Sequence, residues 1–279
     1  MSIVYRIRNK EMTREELMAM EPEILRALIH ERVHHTIEVL IYPIVSQKRK
    51  HPPNFGDEVG ILLEIWKERG LPLSDPDIVW AYRYLDLAES IRRGEIPRID
   101  VEEVKPFDEN EIKIVNKLIF GRRSIRQWRK DKVPDWMIDE IIKAGLAAPN
   151  ACNLQCQRFL VLTDEESMSI IKGDVPLPPV KIVICQDMRI YEWMGFLETA
   201  PQNIYFDAAA AADHMLLMAH ALGLGGVWLT HTKEQAERLK KHLGLPDYYR
   251  IDTHIAIGWP DEAPIKSARM PCEKARIKV

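Results

Sequence analysis

Apolar residues recur at helical spacing in the first third of the chain. Thr13 and Glu16 form a capping-box pattern, and an apolar stripe follows it towards residue 46. The stripe consists of Leu25, Leu28, Ile29, Val33, Ile37 and Leu40. Two more helices are predicted, from Asp57 to Arg69 and from Asp75 to Gly94. The first part of the chain is therefore predicted to be all-helical.

Beyond residue 110 the pattern changes, because helical stretches alternate with short apolar runs typical of strands. Helices are predicted over residues 111–122, 134–148, 207–222 and 233–243, and strands over residues 159–162, 180–185, 226–229 and 253–257. The strands are few and their connections are not uniformly parallel, which favours an α+β fold. Residues 95–110 carry mixed charges and two prolines, as linkers do. We therefore predict a helical extension over residues 1–108 and a second domain over residues 109–279.

The bulk composition is that of an ordinary globular protein. Of the 279 residues, 46% are hydrophobic and 29% are charged, and the formal net charge is −3, which argues against broad binding of nucleic acid or anionic membranes. The N-terminus lacks a signal-peptide core, and no apolar run approaches the roughly 20 residues of a membrane span. The four cysteines form no C-x-x-C pair, which favours a reducing compartment. We expect a cytoplasmic protein with no nucleic-acid or membrane partner.

Three arginines and a serine stand within five residues, where the helix after residue 110 is predicted to end. These residues are Arg122, Arg123, Ser124 and Arg126, and we call residues 122–126 the arginine segment. Guanidinium groups donate forked hydrogen bonds that suit a phosphate. A solvated basic helix end has the same pattern, so the segment by itself leaves both interpretations open.

A second polar segment lies directly before the strand predicted at residue 159. It reads Pro149-Asn150-Ala151-Cys152-Asn153-Leu154-Gln155, and we call it the amide loop. Its small residues let a flat ligand approach the backbone, and Asn153 and Gln155 each present a donor and an acceptor. A plain helix-to-strand loop with Asx turns is equally consistent with this sequence.

Two further segments carry candidate binding residues. Glycines at positions 223, 225 and 226 precede Trp228, Leu229 and Thr230. Such glycines end helices, and they also allow a ring system to approach the backbone closely. Near the C-terminus, Lys266 and Arg269 either close on an anion or belong to a solvated tail.

Together and in this order, these segments resemble the nitroreductase family of FMN-dependent oxidoreductases, over residues 117–279. The resemblance implies an α+β sandwich with a mixed β-sheet flanked by helices, and an intertwined homodimer with FMN at its interface. It also implies that NADH or NADPH gives a hydride to FMN N5, after which a small aromatic, quinone-like or unsaturated acceptor takes the electrons in a ping-pong scheme. The acceptor and the choice between NADH and NADPH are not readable from the sequence.

The resemblance also assigns site residues. The FMN phosphate, ribityl chain or polar ring edge would be bound by Arg122, Arg123, Ser124 and Arg126, and the phosphate site would be completed by Lys266 and Arg269. The flavin would be reached from the partner chain by Pro149, Asn150, Ala151 and Asn153, and Gln155 also suits its pyrimidine edge. The ring would lie against Trp228, Leu229 and Thr230, with a backbone N–H or the Thr230 hydroxyl near N5.

The chain departs from the family pattern at several places. Cys156-Gln157 stand where the family usually has Pro-Trp, and His231 replaces the usual glycine after the strand. The stretch between the strands at residues 159 and 180 has no room for the lid that many relatives carry, so the substrate pocket is expected to be unusual. With Thr230, His231 is a catalytic candidate, either as a proton donor to the reduced substrate or, without a catalytic role, as a cap of the following helix.

Two other functions stay open. His30-Glu31-Arg32-Val33-His34 matches H-E-x-x-H on a predicted helix, where His30 and His34 would hold zinc and Glu31 would act as the general base of a hydrolase. Apart from this alternative, no metal is predicted. The second alternative is a non-catalytic flavin-binding or sensing module whose output is the helical extension.

The helical extension and the paired cysteines also have open roles. The extension would cover an active site that lacks its lid, extend the dimer or bind a partner, and we favour the cover because an open flavin would lose electrons to oxygen. Cys152 and Cys156 would be redox-active only if a thiol pKa were depressed.

Overall fold

The computed structural model describes residues 3–99, 104–173 and 175–277. Internal contacts divide the chain into two compact units. The first unit consists of Met1–Pro106, Pro149–Gln157 and Gln186–Asp207, and the second of Phe107–Ala148, Arg158–Cys185 and Ala208–Val279. The first unit thus takes in two segments from the later part of the chain, and one of them contains the amide loop. The division into domains at residue 108 stays a prediction.

The helices and strands follow one another along the whole chain. The helices are α1 (Arg14–Ala19), α2 (Pro22–Val33), α3 (Val39–Gln47), α4 (Asp57–Glu68), α5 (Pro76–Arg92), α6 (Glu109–Gly121), α7 (Asp135–Leu146), α8 (Glu165–Ile170), α9 (Met188–Trp193), α10 (Phe196–Thr199), α11 (Asn203–Ala221), α12 (Lys233–Leu243) and α13 (Cys272–Ala275). The strands are β1 (Val4–Ile7), β2 (Lys10–Thr13), β3 (Gln157–Leu162), β4 (Val180–Asp187), β5 (Gly225–Leu229) and β6 (Tyr249–Gly258). A π-helical segment, His34–Glu38, joins α2 to α3. The helices predicted after residue 50 and the strands predicted after residue 150 are confirmed, with ends shifted by up to four residues. The stretch predicted to be helical from residue 13 to residue 46 is divided into α1, α2, the π-helical segment and α3.

The chain begins with a hairpin that the helical pattern does not predict. Strands β1 and β2 pair antiparallel, with Val4 opposite Thr13. The turn residues Arg8 and Asn9 have φ values of 50° and 62°, the left-handed conformation that two-residue hairpin turns require and that Asn tolerates well. Strands of four residues carry too little alternation to stand out in the sequence. The region before residue 108 is therefore mainly helical, not all-helical.

The predicted apolar stripe forms the core of the first unit. The fully buried members of the stripe are Leu25, Leu28, Ile29, Val33 and Ile37, and Leu40 packs against them. The same hydrophobic cluster includes Leu154 of the amide loop and Tyr191 of α9. Within this unit, the N-terminal helices and the amide loop therefore share one core.

The second unit is built on a four-stranded sheet in the order β3-β4-β6-β5. Strands β5 and β6 are antiparallel, with Gly225 opposite Gly258. Strand β4 is buried along its whole length: Ile182 and Ile184 lie in one apolar cluster, and Val183 and Cys185 in another. Because successive side chains of a strand point to opposite faces, both faces of the sheet are covered. The predicted α+β sandwich is confirmed.

Candidate functional site

The arginine segment leaves the end of α6 and runs beside β5. The backbone becomes extended at Arg122, Ser124 forms a parallel bridge with Gly226, and the Ile125 N–H donates to the Gly226 carbonyl at 3.1 Å. Ile125 is buried, whereas Arg126 is exposed. Burial of the single apolar residue thus fixes the segment, and the polar residues on either side remain accessible.

The three guanidinium groups differ in their partners. Arg123 donates to the carbonyls of Phe120 and Arg122 at 2.8 and 2.6 Å, so it caps the C-terminal end of α6. Within the part of the chain that the structure describes, the side chains of Arg122 and Arg126 have no hydrogen-bond or ion-pair partner. Two of the three groups therefore keep all their donors available to a ligand.

A cavity of about 620 Å³ lies beside the arginine segment, within the second unit. Its basic lining residues are Lys117, Arg122, Arg123 and His220, and its acidic lining residue is Glu262. Glu262 is already engaged, because its carboxylate accepts hydrogen bonds from the backbone N–H groups of Arg126 and Gln127. The volume falls within the roughly 300–1,000 Å³ of small-molecule sites, and the excess of cations suits an anionic ligand.

The C-terminal pair of cations does not join this cavity. Lys266 and Arg269 are exposed, and neither lines the cavity with Arg122. Arg269 instead donates to the Ser267 hydroxyl at 2.8 Å and to the Ala268 carbonyl at 3.0 Å. A part for Lys266 and Arg269 in a phosphate site stays a prediction.

The end of β5 presents the residues predicted to face a ring. The Trp228 side chain is 42% exposed, and its indole N–H donates to the Thr253 hydroxyl. Leu229 is the last residue of the strand and is half-buried, and Thr230 follows it in an exposed position. These three residues are accessible without displacement of the core, as a ligand-facing role requires.

His231 does not cap α12, so that alternative is wrong. The cap is Thr232, whose hydroxyl accepts the Gln235 N–H at 3.2 Å and whose own N–H donates to the Gln235 side chain at 2.8 Å. His231 instead places its Nδ1 at 3.3 Å from Nδ1 of the fully buried His254. Because one Nδ1 must donate and the other accept, the two imidazoles hold opposite tautomers.

Burial controls the charge of this histidine pair. Burial lowers the pKa of His231, against a hydrogen bond with the Ile251 backbone that raises it. Burial, together with the charges of Lys181 and His231, lowers the pKa of His254 to about 3. Lys181 is itself fully buried and donates to the carbonyls of Met168 and Ile171 at 3.0 and 2.9 Å. Both imidazoles are therefore neutral near pH 7.

The amide loop is folded on itself. The Asn150 side-chain oxygen accepts the Gln155 N–H at 3.0 Å, and the Asn153 side-chain oxygen accepts from the Gln155 side chain at 3.1 Å. Cys152, Asn153 and Gln155 adopt φ values of 50°, 54° and 51°. The loop also ends in contact with β4, since the Asp187 N–H donates to the Cys156 carbonyl at 3.0 Å.

The thiols of this region lack the features of a redox pair. Cys156 is buried, and Cys152 has its Sγ at 3.2 Å from Nε2 of His35. Burial and the charge of Glu31 raise the pKa of the Cys152 thiol, whereas a reactive thiol needs a depressed one. Cys152 and His35 together therefore form a neutral contact between the amide loop and the π-helical segment.

The H-E-x-x-H residues have separate partners, which disfavours a zinc site. His30 Nε2 lies 2.7 Å from the Asp77 carboxylate, and His34 Nδ1 lies 2.8 Å from Glu38. Glu31 pairs with Arg8 at 3.1 Å and with Arg32. Among the residues that the structure describes, no group of three or more potential ligands is arranged to hold a metal ion. The motif therefore serves the packing of the first unit.

Several site residues could not be assigned from the sequence. Lys117 and His220 enter the cavity from α6 and α11, and they carry no motif of their own. Asp207 and Tyr191 form a buried pair behind the amide loop. The sequence does carry one sign of the buried polar cluster at His254. Lys181 is a charged residue inside the apolar run of β4, and its charge acts on His254.

The fold is an α+β sandwich, and its second unit carries a cavity lined mainly by basic and apolar residues. The model of the nitroreductase family matches residues 119–194 and 179–259. An NADH dehydrogenase of Thermus thermophilus is 30% identical, over 55% of this chain and 90% of that protein. The chain belongs to the nitroreductase family.

Two solved structures are also similar to this chain. The FMN-dependent nitroreductase of Clostridium difficile is 26% identical, with a TM-score of 0.50, over 58% of this chain and 98% of that one. The NADPH:FMN oxidoreductase of Vibrio harveyi, solved in complex with NAD+, is 26% identical, with a TM-score of 0.51, over 58% of this chain and 75% of that one. No helix among the described residues combines the length and the apolar character needed to cross a membrane.

Proposed function

We propose that this chain is an FMN-dependent oxidoreductase that takes reducing equivalents from NADH or NADPH and passes them to a small acceptor. The cavity beside the arginine segment carries the proposal, because the free guanidinium of Arg122 lines it together with Lys117 and Arg123, in a chain of the nitroreductase family. The names of the relatives support it, since they include an NADPH-flavin oxidoreductase and an oxygen-insensitive NADPH nitroreductase.

The residues present fit FMN. The phosphate needs charge-assisted donors, and Arg122 and Arg126 have none of theirs committed within the described chain. Arg123 and Ser124 lie between them and are proposed to bind the ribityl chain or the phosphate. The isoalloxazine ring needs accessible apolar surface and backbone, which Trp228, Leu229 and Thr230 offer at the end of β5.

A homodimer is part of the proposal, with the amide loop reaching the flavin of the partner chain. Helix α6 supports it, because none of its residues is buried although the helix is strongly amphipathic. The exposed apolar side chains of this helix are Ile112, Ile114, Ile119 and Phe120. Of these, Ile112, Ile119 and Phe120 lie within about 100° of one another around the helix, and an exposed apolar patch of this kind is typical of an interface. Sedimentation of the wild type as a dimer, and of Phe120→Asp as a monomer, would support this assignment; a monomeric wild type would remove it.

When bound, FMN supplies the redox chemistry, namely hydride acceptance at N5 from NAD(P)H and electron transfer to the acceptor in a ping-pong scheme. The residues of the chain are proposed to position the flavin and to donate hydrogen bonds or protons. Thr230 is exposed directly after β5, so its N–H or hydroxyl is proposed to face N5. His231, which is neutral near pH 7 and held against His254, is proposed to donate a hydrogen bond to the acceptor and to act as a proton donor where the pH falls below its lowered pKa. A cytoplasmic location is also proposed, supported by four free cysteines.

The test is anaerobic reduction of the full-length protein after reconstitution with FMN. NADH or NADPH is expected to bleach the flavin within the mixing time of the experiment, and a quinone is expected to restore the colour. FMN that stays oxidised would favour a non-catalytic flavin-binding module. A colourless protein that takes up no FMN at micromolar concentration would refute the proposal.

A further inference from the structure

A buried carboxylate lies behind the amide loop. Asp207, near the start of α11, is 4% exposed. Its Oδ1 accepts the Ala151 N–H at 3.0 Å, and its Oδ2 accepts the hydroxyl of Tyr191, which is fully buried. Both oxygens therefore have a donor, and the Tyr191 hydroxyl fixes the orientation of the carboxylate that holds the loop.

The amide loop has a conformation that its own sequence disfavours. Cys152, Asn153 and Gln155 all lie in the left-handed region, with φ near 50°, and only Asn tolerates this region readily. Such a backbone persists only where surrounding contacts over-determine it. The hydrogen bond from the Gln155 N–H to the Asn150 side-chain oxygen closes the loop, but both of these residues belong to it. The bond from Ala151 to Asp207 connects the loop to a helix.

The buried core holds the same loop from a second direction. Leu154 and Tyr191 lie in one hydrophobic cluster with the N-terminal helices. Tyr191, which orients Asp207, is therefore held by core packing and not only by its hydrogen bond to the carboxylate. Burial raises the pKa of Asp207, and the bonds from Tyr191 and Ala151 act against this rise by favouring the charged form.

We propose that Asp207, oriented by Tyr191, is the positioning residue that sets the conformation of the amide loop and thereby the affinity of the protein for flavin. The inference rests on the proposed function, in which Asn150, Ala151 and Asn153 contact FMN. Asp207 itself touches the loop backbone and has no catalytic role. Asp207 is proposed to act on the flavin indirectly, because it fixes the position of the Ala151 peptide.

The test uses the full-length protein, stripped of flavin, and titrates FMN by the quenching of its fluorescence. Asp207→Ala is expected to weaken FMN binding about tenfold or more, because the hydrogen bond from the partly buried Ala151 N–H to a charged acceptor is lost. Asp207→Asn keeps an acceptor for the Ala151 N–H and is expected to restore most of the affinity. Tyr191→Phe is expected to weaken binding about threefold, the size of a weak hydrogen bond. Asp213→Ala, at an exposed position of α11, is the matched control and is expected to bind as the wild type does.

A second readout separates positioning from general stability. Hydrogen exchange of the peptide that contains Ala151 is expected to accelerate in Asp207→Ala, while peptides from α2, α4 and α5 exchange as in the wild type. An Asp207→Ala protein with wild-type FMN affinity and wild-type exchange at Ala151 would overturn the inference. If that variant does not fold, Tyr191→Phe decides the question: wild-type FMN affinity in Tyr191→Phe overturns the inference, and a loss of about threefold, with Asp207→Asn close to the wild type, supports it.

The two proposals fail in different ways. A wild type that binds no FMN would remove the proposed function, and the exchange rate at Ala151 would still judge whether Asp207 anchors the loop. A wild type that binds FMN and is reduced by NAD(P)H, alongside an Asp207→Ala variant of unchanged affinity, would remove the positioning inference alone.

Discussion

The arginine segment and the amide loop, the two parts of the proposed flavin site, are built in opposite ways. The arginine segment is fixed by its backbone and one buried residue, Ile125, while Arg122 and Arg126 keep their donors free. The amide loop has committed its side chains to one another, and its backbone is held by Asp207. The arginine segment therefore offers charged hydrogen-bond donors to a ligand. The amide loop offers a backbone surface of fixed conformation.

This difference has an energetic consequence. A guanidinium that meets a phosphate gains charge-assisted hydrogen bonds at little cost when the backbone is already fixed. A loop with internally bonded amides gains little from any single side chain, because those amides have partners before the ligand arrives. Side-chain substitutions in the arginine segment should therefore weaken FMN binding most. Side-chain substitutions in the amide loop should mainly reduce the order of the loop.

The largest effect is expected for Arg122→Ala or Arg126→Ala. Each should weaken FMN binding roughly 10- to 100-fold, since hydrogen bonds between charged groups contribute about 1.5–3 kcal/mol. Fluorescence titration of FMN measures this, with Arg238→Ala on the exposed face of α12 as the control. Asn153→Ala should cost much less. Equal losses of FMN affinity in Asn153→Ala and Arg122→Ala would contradict the view that the arginine segment contributes more binding energy than the side chains of the amide loop.

Gly225→Ala tests whether the arginine segment depends on backbone packing. A Cβ at Gly225 would lie 2.7 Å from three atoms of Ile125, so the segment must shift. Overpacking of this kind should lower the free energy of unfolding by about 1–3 kcal/mol. FMN affinity should fall as well, because the neighbouring arginines move with Ile125.

The glycine control for that experiment lies in the first unit. At Gly60 in α4, a new Cβ would meet Leu85 at an ordinary 3.8 Å. Gly60→Ala should therefore raise the free energy of unfolding by about 0.5–1 kcal/mol through its effect on helix propensity. Urea denaturation measures both variants, and a stable Gly225→Ala protein with full FMN affinity would contradict the packing argument.

The pH dependence of stability should report on His254, beside the proposed catalytic His231. The pKa of His254 is about 3 in the folded protein, against an ordinary value of 6.5. Below pH 6.5 the unfolded chain binds more protons than the folded one at this residue, so stability falls as the pH falls. From pH 7 to pH 5 this residue should cost about 2 kcal/mol. His254→Asn should lose that component in urea denaturation at the two pH values, and an unchanged pH dependence would refute the burial argument.

The smallest effect is expected for Asn150→Ala in the amide loop. It removes the acceptor for the Gln155 N–H and should lower the free energy of unfolding by about 1 kcal/mol. FMN affinity should fall only a few-fold, less than for either arginine. Thermal unfolding together with FMN titration would check this. A loss of FMN affinity larger than that of Arg122→Ala would show that the amide loop, and not the arginine segment, contributes most to binding.

Much of the fold was predictable because its signals are local. The capping box at Thr13, the stripe from Leu25 to Ile37 and the buried run of β4 all follow from short-range periodicity, and the structure confirms them. The hairpin at Val4–Thr13 was missed because four-residue strands carry almost no pattern. The zinc interpretation of His30 and His34 rested on spacing alone, and spacing does not reveal that Asp77 and Glu38 are their partners.

The sequence by itself determined which residue types this protein offers to a ligand: an arginine cluster after a helix, amides on a short loop and a threonine after a strand. Tertiary structure decided what those groups are free to do, because availability depends on partners distant in the chain. Asp207 meets Ala151 across 56 positions, and His254 meets His231 across 23. Contacts of that separation arise from packing and burial, which no local pattern encodes.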